Sequence, residues 1–175
     1  MKTTKVCIIV LVGCFISVVL LLFMGNVAKD GSVVFRKQIK TTDPPCLQMY
    51  YFIEQYADSF NIPKKYAYGV AYVETGYNGP FDWTYNHKQV SAAGAVGPMQ
   101  VMLATARSLN HDNVPINKLK NNIEYNVKTS MKLLRVLYDR HGDWKSAFCA
   151  YNTGKPGING YAIKVCNYQP TWTIN

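Results

Sequence analysis

Residues 62–78 read IPKKYAYGVAYVETGYN, and this stretch decides how the chain is organised. Pro63 suits the first turn of a helix, because the amide hydrogen that proline lacks would be unpaired there in any case. Gly76 is a typical residue for ending a helix. The stretch therefore predicts a helix over residues 63–75, with Glu74 in its last turn.

Glu74 is one of three glutamates in the chain, and its setting is unusual for a charged residue. After Lys65 its helix carries no other charge, so the carboxylate loses hydration, which favours the protonated form. The negative end of the helix dipole acts in the same direction. A carboxylic acid of raised pKa can protonate a leaving oxygen near neutral pH. From the helix alone, the alternative is a glutamate that faces solvent beside an apolar stripe.

The sequence around this helix is also helical in pattern, with no strand-like alternation of any length. Further helices are predicted at residues 47–60, 98–109, 119–141 and 144–151. A long glycine-containing loop over residues 77–97 follows the helix that carries Glu74. The pattern predicts a mainly α domain without internal repeats.

The N-terminal segment is of a different kind. Residues 6–24 read VCIIVLVGCFISVVLLLFM without a charge, and a helix of this length spans about 28 Å, close to the hydrocarbon core of a bilayer. Lys2 and Lys5 precede it, as in a signal sequence or signal anchor. We expect a membrane anchor over residues 1–24, a polar tether over residues 25–45 and a folded domain over residues 46–175.

Two other fates of this segment stay open. It can be removed as a signal peptide, although the best cleavage position, after Ala28, has Asn26 where a small residue is expected. Alternatively, Leu11-Val12-Gly13-Cys14 resembles a lipobox, after which a bacterial lipoprotein is cut and acylated on cysteine. An uncleaved, single-pass anchor is the interpretation that we favour.

The cysteines and histidines indicate no metal site. His87, His111 and His141 share no ligand spacing, and there is no Cys-x-x-Cys pair. Three cysteines lie outside the apolar segment. Cys46 opens the domain and Cys166 lies near its end, whereas Cys149 lies in an apolar run, so we predict a Cys46–Cys166 disulfide with Cys149 buried and reduced.

Three motifs, in order along the chain, resemble those of the soluble lytic transglycosylase family. They are ETGYN at residues 74–78, SAAGAVGPMQVM at 91–102 and AYNTG at 150–154. The resemblance extends over about residues 47–164. It implies a lysozyme-like fold of the goose-type lysozyme or SLT kind, no cofactor, and a lyase that acts on peptidoglycan (murein).

The resemblance also implies roles for individual residues. Glu74 matches the acid/base of the family, and Tyr151 matches the tyrosine that orients it. Gln100 would hold an N-acetylated sugar by hydrogen bonds. The other positions that match the substrate groove are Ser91, Met102 and Asn152.

The implied reaction needs only one carboxyl group. Glu74 would protonate the leaving oxygen between N-acetylmuramic acid and N-acetylglucosamine and then take a proton from the C6 hydroxyl, so that a 1,6-anhydro sugar forms. The chain departs from the family by additional residues at 79–86 and by Leu103 in place of a common proline. Asp82 lies in the additional stretch, so a lysozyme-type hydrolase in which Asp82 or an ordered water helps stays an alternative. A non-catalytic wall-binding protein is the third hypothesis.

The expected partners follow from this interpretation. The net charge of +9 suits an anionic polymer or acidic lipid, and no recognised nucleic-acid motif is present. The activity requires the domain on the outer, periplasmic or cell-wall side of the bacterial cytoplasmic membrane. General wall turnover and service to a secretion or conjugation apparatus both stay open.

Overall fold

In the computed structural model, residues 25–27, 33–35 and 39–172 are described. The expected membrane anchor, residues 1–24, lies outside this part of the chain. Among the described residues, no helix is both long enough and apolar enough to cross a bilayer. The chain divides into two compact units, with the boundary between Ile39 and Lys40.

The first unit contributes a short antiparallel strand pair. β1 (Gly25–Val27) pairs with β2 (Val33–Phe35), and Gly25 stands opposite Phe35. The sequence pattern predicts no strand, so this pair is a correction to it. Strands of three residues are too short to show the alternation of apolar and polar residues by which a strand is recognised.

The second unit is helical throughout its named elements. Its helices are α1 (Pro45–Ser59), α2 (Lys64–Thr75), α3 (Leu103–Asn110), α4 (Ile116–Asn121), α5 (Ile123–His141), α6 (Trp144–Thr153) and α7 (Gly160–Asn167). The predicted mainly α class is confirmed.

Two details of the helices differ from the sequence prediction. The segment predicted as one helix over residues 119–141 is interrupted at Asn122, whose side chain accepts a hydrogen bond from the Tyr125 amide and caps α5. The sequence pattern does not predict α7. This helix has only eight residues, and it starts where Asn159 caps it by accepting from the Ala162 amide.

The core forms around α5, which packs mainly against α1 and α6. α2 packs against α7 on another side, and the two backbones approach closely. A side chain at Gly69 would place its Cβ 2.7 Å from the carbonyl oxygen of Val165, so only glycine allows this approach. The close packing of α2 on α7 brings the end of α2 next to the first turn of α7.

Candidate active site

Glu74 occupies the last turn of α2, as the sequence predicts, and it is partly buried. The helix ends at Gly76, whose amide donates to the carbonyl oxygen of Tyr72, while the next amide, that of Tyr77, donates to the carbonyl oxygen of Ala71. These bonds close the final turn and hold the Glu74 backbone in place. The side chain therefore extends from a rigid helix end.

The surroundings of Glu74 keep it protonated to unusually high pH. Burial raises the pKa of its carboxyl group from 4.5 to about 7, although a hydrogen bond from Tyr161 acts in the opposite direction. The Tyr161 hydroxyl donates to Glu74 Oε1 over 2.7 Å. In the described part of the chain, no cation forms an ion pair with Glu74. Both protonation states are thus accessible near neutral pH, as an acid that becomes a base requires.

The hydrogen bond to Glu74 that the resemblance implies for Tyr151 is made by Tyr161 in this structure. Tyr161 contacts the carboxyl group of Glu74, while the Tyr151 hydroxyl donates to the carbonyl oxygen of Met99 over 2.6 Å. The two tyrosine rings are stacked, with centroids 6.5 Å apart. Sequence reasoning missed Tyr161 because α7 is too short to be recognised.

Tyr151 acts as a brace for the wall of the site. Because its hydroxyl donates to Met99, it accepts from Ser130, whose Oγ lies 2.9 Å away on α5. The same bonds connect α6, α5 and the segment before α3. Tyr151 therefore helps to hold that segment beside Glu74.

The buried side chain of Asn126 holds the glycine-containing segment before α3 in place through hydrogen bonds. Asn126 on α5 accepts from the Met99 amide and donates to the carbonyl oxygens of Val96 and Leu119. A Cβ on Gly97 would lie 2.4 Å from the Asn126 amide nitrogen, and the φ of Gly97 is +79°. Glycine is required at this position for both reasons. Asn126 was not singled out from the sequence, because an asparagine within a helix has no distinctive spacing.

Thr75, the neighbour of Glu74, joins α2 to both flanking loops. Its buried hydroxyl lies 2.8 Å from the carbonyl oxygen of Pro98 and 2.8 Å from the hydroxyl of Tyr85. Its carbonyl oxygen accepts from Gln89 over 3.0 Å. Tyr85 belongs to the additional stretch 79–86, so this stretch is bonded directly to the residue after Glu74.

Gln100 and Ser91 lie in the same loop region, and their polar atoms contribute to its folding. Gln100 adopts a φ of +49°, and its side-chain nitrogen donates to the carbonyl oxygens of Gly97 and Gln89. Ser91 Oγ accepts from the Ala95 amide over 3.0 Å. The turn at residues 98–100 also explains why α3 begins at Leu103 and not at residue 98.

Met102 and Asn152 are exposed at the edges of this region. Met102 precedes α3 and leaves 42% of its surface accessible. Asn152 lies in the last turn of α6 and accepts a hydrogen bond from the Asn159 side chain over 3.2 Å. Both are accessible to a ligand, in contrast to Met99, which is fully buried.

A family comparison agrees with this arrangement. The model of the family described as Transglycosylase SLT domain matches residues 51–165, which is more than half of the chain. The chain belongs to this family. The match includes α2, the segment before α3, α6 and the tyrosine of α7 that contacts Glu74.

Solved structures similar to this SLT domain are lytic transglycosylases. The 70 kDa soluble lytic transglycosylase from Escherichia coli is 25% identical, with 59% of this chain and 16% of that chain covered and a TM-score of 0.49. An inactive mutant of lytic transglycosylase Slt from Pseudomonas aeruginosa is 17% identical, with 60% and 16% covered and a TM-score of 0.49. A complex of the 70 kDa enzyme with bulgecin A is 22% identical, with 66% and 18% covered and a TM-score of 0.49. This chain therefore spans less than a fifth of those proteins.

Asp82 of the SLT domain does not join Glu74. It lines a surface groove together with Tyr72 and Gly76 of α2 and its C-terminal cap. At about 100° per residue, Glu74 points about 160° away from Tyr72 and about 100° away from Val73, which also lines the groove. Asp82 Oδ1 instead accepts from the amide and hydroxyl of Thr84. The two carboxyl groups lie on different sides of α2.

The predicted Cys46–Cys166 disulfide does not form in this structure, where both residues and Cys149 are free thiols. Cys46 lies near the end of α2, where the Tyr77 hydroxyl donates to its carbonyl oxygen. Burial raises the pKa of the Cys166 thiol, while the charges of Lys145 and of Lys65, which lies in the first turn of α2, act to lower it. Cys166 therefore lies near the first turn of α2. The 12 residues of α2 span about 18 Å, and a disulfide needs Cα atoms within about 7 Å.

Proposed function

We propose that this chain is a peptidoglycan lytic transglycosylase. It cleaves the β-1,4 bond between N-acetylmuramic acid and N-acetylglucosamine and leaves 1,6-anhydro-muramoyl ends, with Glu74 as its single acid/base. The observation that carries the proposal is the burial of most of the Glu74 side chain without a cation partner in the described chain, which raises its pKa to about 7. In addition, Asp82 lines a groove on another side of α2. Family membership supports the choice of substrate.

The reaction then proceeds in two proton transfers. Protonated Glu74 donates its proton to the glycosidic oxygen as the bond from that oxygen to C1 of the muramoyl residue breaks. The C6 hydroxyl oxygen of the same sugar forms a new bond to C1, and its proton passes to the Glu74 carboxylate. Glu74 ends protonated as it began, and no water is consumed.

The neighbouring residues have distinct tasks in this proposal. Tyr161 holds the carboxyl group through Oε1, which leaves the other oxygen for the transferred proton. Gln100, Ser91, Met102 and Asn152 belong to the substrate groove, and Tyr151 supports its wall through Met99. Preorganised side chains of this kind lower the cost of orienting the sugar in the transition state.

Mass spectrometry of the muropeptides released by the purified chain tests the reaction type. Products with 1,6-anhydro ends are lighter than hydrolysed products by the mass of one water molecule. We expect the lighter products from the wild type, none from Glu74→Gln, and the same lighter products from Asp82→Asn. Water-added reducing ends would refute the transglycosylase and establish a lysozyme-type hydrolase.

We also propose that residues 1–24 retain the enzyme in the cytoplasmic membrane, with the domain on the outer side. The uncharged apolar segment supports this, and so does the location of peptidoglycan. Alkaline extraction of membranes should leave the protein in the pellet, and protease added to spheroplasts should digest it. Release of a shortened, soluble chain would show that the segment is cleaved as a signal peptide instead. A chain that stays in the pellet but begins at Cys14 and carries a lipid in the mass spectrum would show that it is a lipoprotein.

A further inference from the structure

The groove that contains Asp82 is a large open cavity that the proposed reaction does not use. Its volume is about 920 Å³, within the range of ligand-binding clefts. It lies between the end of α2 and the C-terminal half of α7, and the additional stretch 79–86 supplies part of its rim. Val73, Ile163 and Tyr168 give the lining an apolar part, and its groups able to bond to a ligand are the side chains of Tyr72, Asn78, Asp82, Lys164 and Asn167.

These side chains offer charges of both signs. Lys164 is exposed, Asp82 is partly exposed, and neither forms an ion pair with any residue of the described ranges. The Asn78 and Asn167 amides are also exposed. Tyr72 adds an aromatic ring that is 46% exposed and rests against the ring of Tyr168. A ligand with an ammonium group, a carboxylate and peptide groups would pair with all of these features.

Neither the glycan nor an apolar protein surface fits this lining as well as a ligand that carries both charges. The sugars of a glycan present hydroxyl and acetamido groups and would leave the Asp82 and Lys164 charges unused. The centre of a protein interface is depleted of charged residues, whereas here the charges line the groove itself. The lining therefore favours a short zwitterionic peptide.

Such a peptide can extend from the Glu74 side of α2 to the groove. Peptidoglycan carries short peptides on its muramoyl residues, and four or five extended residues span about 13–18 Å. An α-helix with its side chains is only about 10–12 Å wide. The path around the end of α2 passes Gly76, where an added Cβ would meet no atom within 4 Å. The peptide thus has both the length and the space to reach the groove.

We propose that this groove binds the stem peptide of the glycan strand that is cleaved at Glu74. The Asp82 carboxylate receives the ammonium group of the peptide and Lys164 receives a carboxylate, while Asn78 and Asn167 bond to its backbone. This inference rests on the proposed function. It assigns Asp82 to substrate recognition and not to the chemical step.

The test compares two substrates for each variant of the full chain: peptide-bearing glycan strands and the same strands after an amidase has removed the peptides. For Lys164→Glu, the ratio of kcat/KM on peptide-bearing to peptide-free strands should fall about tenfold, as expected for one lost charge-assisted contact. Asp82→Asn should lower this ratio in the same direction. Arg140→Glu changes the net charge equally at an exposed site on α5, and its ratio should equal that of the wild type.

The outcomes separate the alternatives. Equal losses on both substrates would overturn the proposal, because the groove would then serve the fold or the glycan. An unchanged ratio would overturn it as well and would leave the groove to a protein partner.

A binding measurement keeps this test independent of activity. The stem tetrapeptide L-Ala-γ-D-Glu-meso-diaminopimelate-D-Ala is titrated into the full chain carrying Glu74→Gln, and binding is followed by NMR at the side-chain amides of Asn78 and Asn167. Saturable shifts that Lys164→Glu abolishes support the groove even if no wall-degrading activity is found, in which case only the proposed function fails. No shift at millimolar peptide would overturn the inference.

Discussion

α2 has a glutamate and a tyrosine hydroxyl at each end, but among the described residues a cation forms an ion pair with the glutamate at only one end. At its first turn, Glu54 of α1 accepts from Lys64 over 2.6 Å and from Tyr68 over 2.7 Å. At its last turn, Glu74 accepts from Tyr161 over 2.7 Å and has no ion pair with a described residue. The geometry of the tyrosine contacts is nearly the same, so the ammonium group is the main difference.

The difference determines what each carboxyl group can do. At the first turn the charge of Glu54 is balanced, and its hydrogen bond raises the pKa of Lys64, so the pair acts as a structural clamp. At the last turn burial acts without a compensating cation, and the pKa of Glu74 rises to about 7. The proposed role of Glu74 as a proton donor therefore depends on the lack of a pairing lysine among the described residues as much as on the aromatic environment.

The largest effect is expected when Glu74 is replaced by its amide, and the same replacement of Glu54 is the comparison. Glu74→Gln preserves shape but cannot transfer a proton, so wall lysis should fall at least ~100-fold. Glu54→Gln should keep activity within about twofold, since it lies at the opposite end of α2. Turbidity loss of purified peptidoglycan measures both. Activity of Glu74→Gln within a few-fold of wild type would remove Glu74 from the mechanism.

The same two variants should change stability with opposite signs. The folded-state pKa of Glu74, about 7, lies above its ordinary value of 4.5, so its protonated form stabilises the fold at low pH. That contribution declines as the pH rises from about 4.5 through 7, by an amount on the order of 3 kcal/mol. At pH 8, Glu74→Gln should therefore unfold at higher denaturant concentration than wild type.

Glu54→Gln provides the contrast in the same denaturation experiment. It removes the partner of a half-exposed lysine and should lower the free energy of unfolding by about 1 kcal/mol. Loss of stability at pH 8 in both variants would show that Glu74 is not destabilised by its burial.

Removing the tyrosine hydroxyl at the active end tests the remaining contact. Tyr161→Phe deletes a hydrogen bond that favours ionised Glu74, so the pKa of Glu74 should rise further and the alkaline limb of the pH–activity profile should move to higher pH. Activity at the optimum should fall about tenfold through lost orientation. Tyr68→Phe is the matched change at the other end and should leave the profile in place. A Tyr161→Phe profile identical to that of wild type would exclude a positioning role.

The smallest effect is expected when the hydrogen bond between Tyr85 and Thr75 is removed. Tyr85→Phe removes the bond from the additional stretch to the Thr75 hydroxyl and should lower the free energy of unfolding by about 1 kcal/mol. Lysis should fall by less than about threefold, because Thr75 keeps its bond to Pro98. Thermal unfolding and lysis assays measure the two effects. Full loss of lysis in a folded variant would show that this stretch contributes directly to catalysis.

The Glu74 helix was predictable from local signals, whereas the site around it was not. Pro63 and Gly76 mark the two ends of α2, and the structure begins and ends the helix within a residue of the predicted bounds. The tyrosine that contacts Glu74 comes from α7, 87 residues further along the chain. Nothing in the spacing of Tyr151 and Tyr161 indicates which of them reaches the carboxyl group, because that depends on how α6 and α7 pack.

The cysteine prediction illustrates the same limit. Cys46 and Cys166 occur near the two ends of the domain sequence, but sequence position does not measure distance in space. In the structure, Cys46 lies near the end of α2 and Cys166 lies near its first turn, so the length of this helix lies between them. Similarly, Asp82 is only eight residues from Glu74, yet the turn at Gly76 leads it to the other side of the helix.

The sequence by itself determined the mainly helical class, the family and the position of Glu74 at a helix end, because these depend on short motifs, caps and composition. Only the tertiary structure decided that Glu74 is partly buried beside Tyr161, that Asp82 faces a separate groove, and that Cys46, Cys149 and Cys166 are free thiols. Burial and charge balance arise from residues that are distant in the chain, so the pKa of a carboxyl group follows from the packing of helices and not from the helix that carries it.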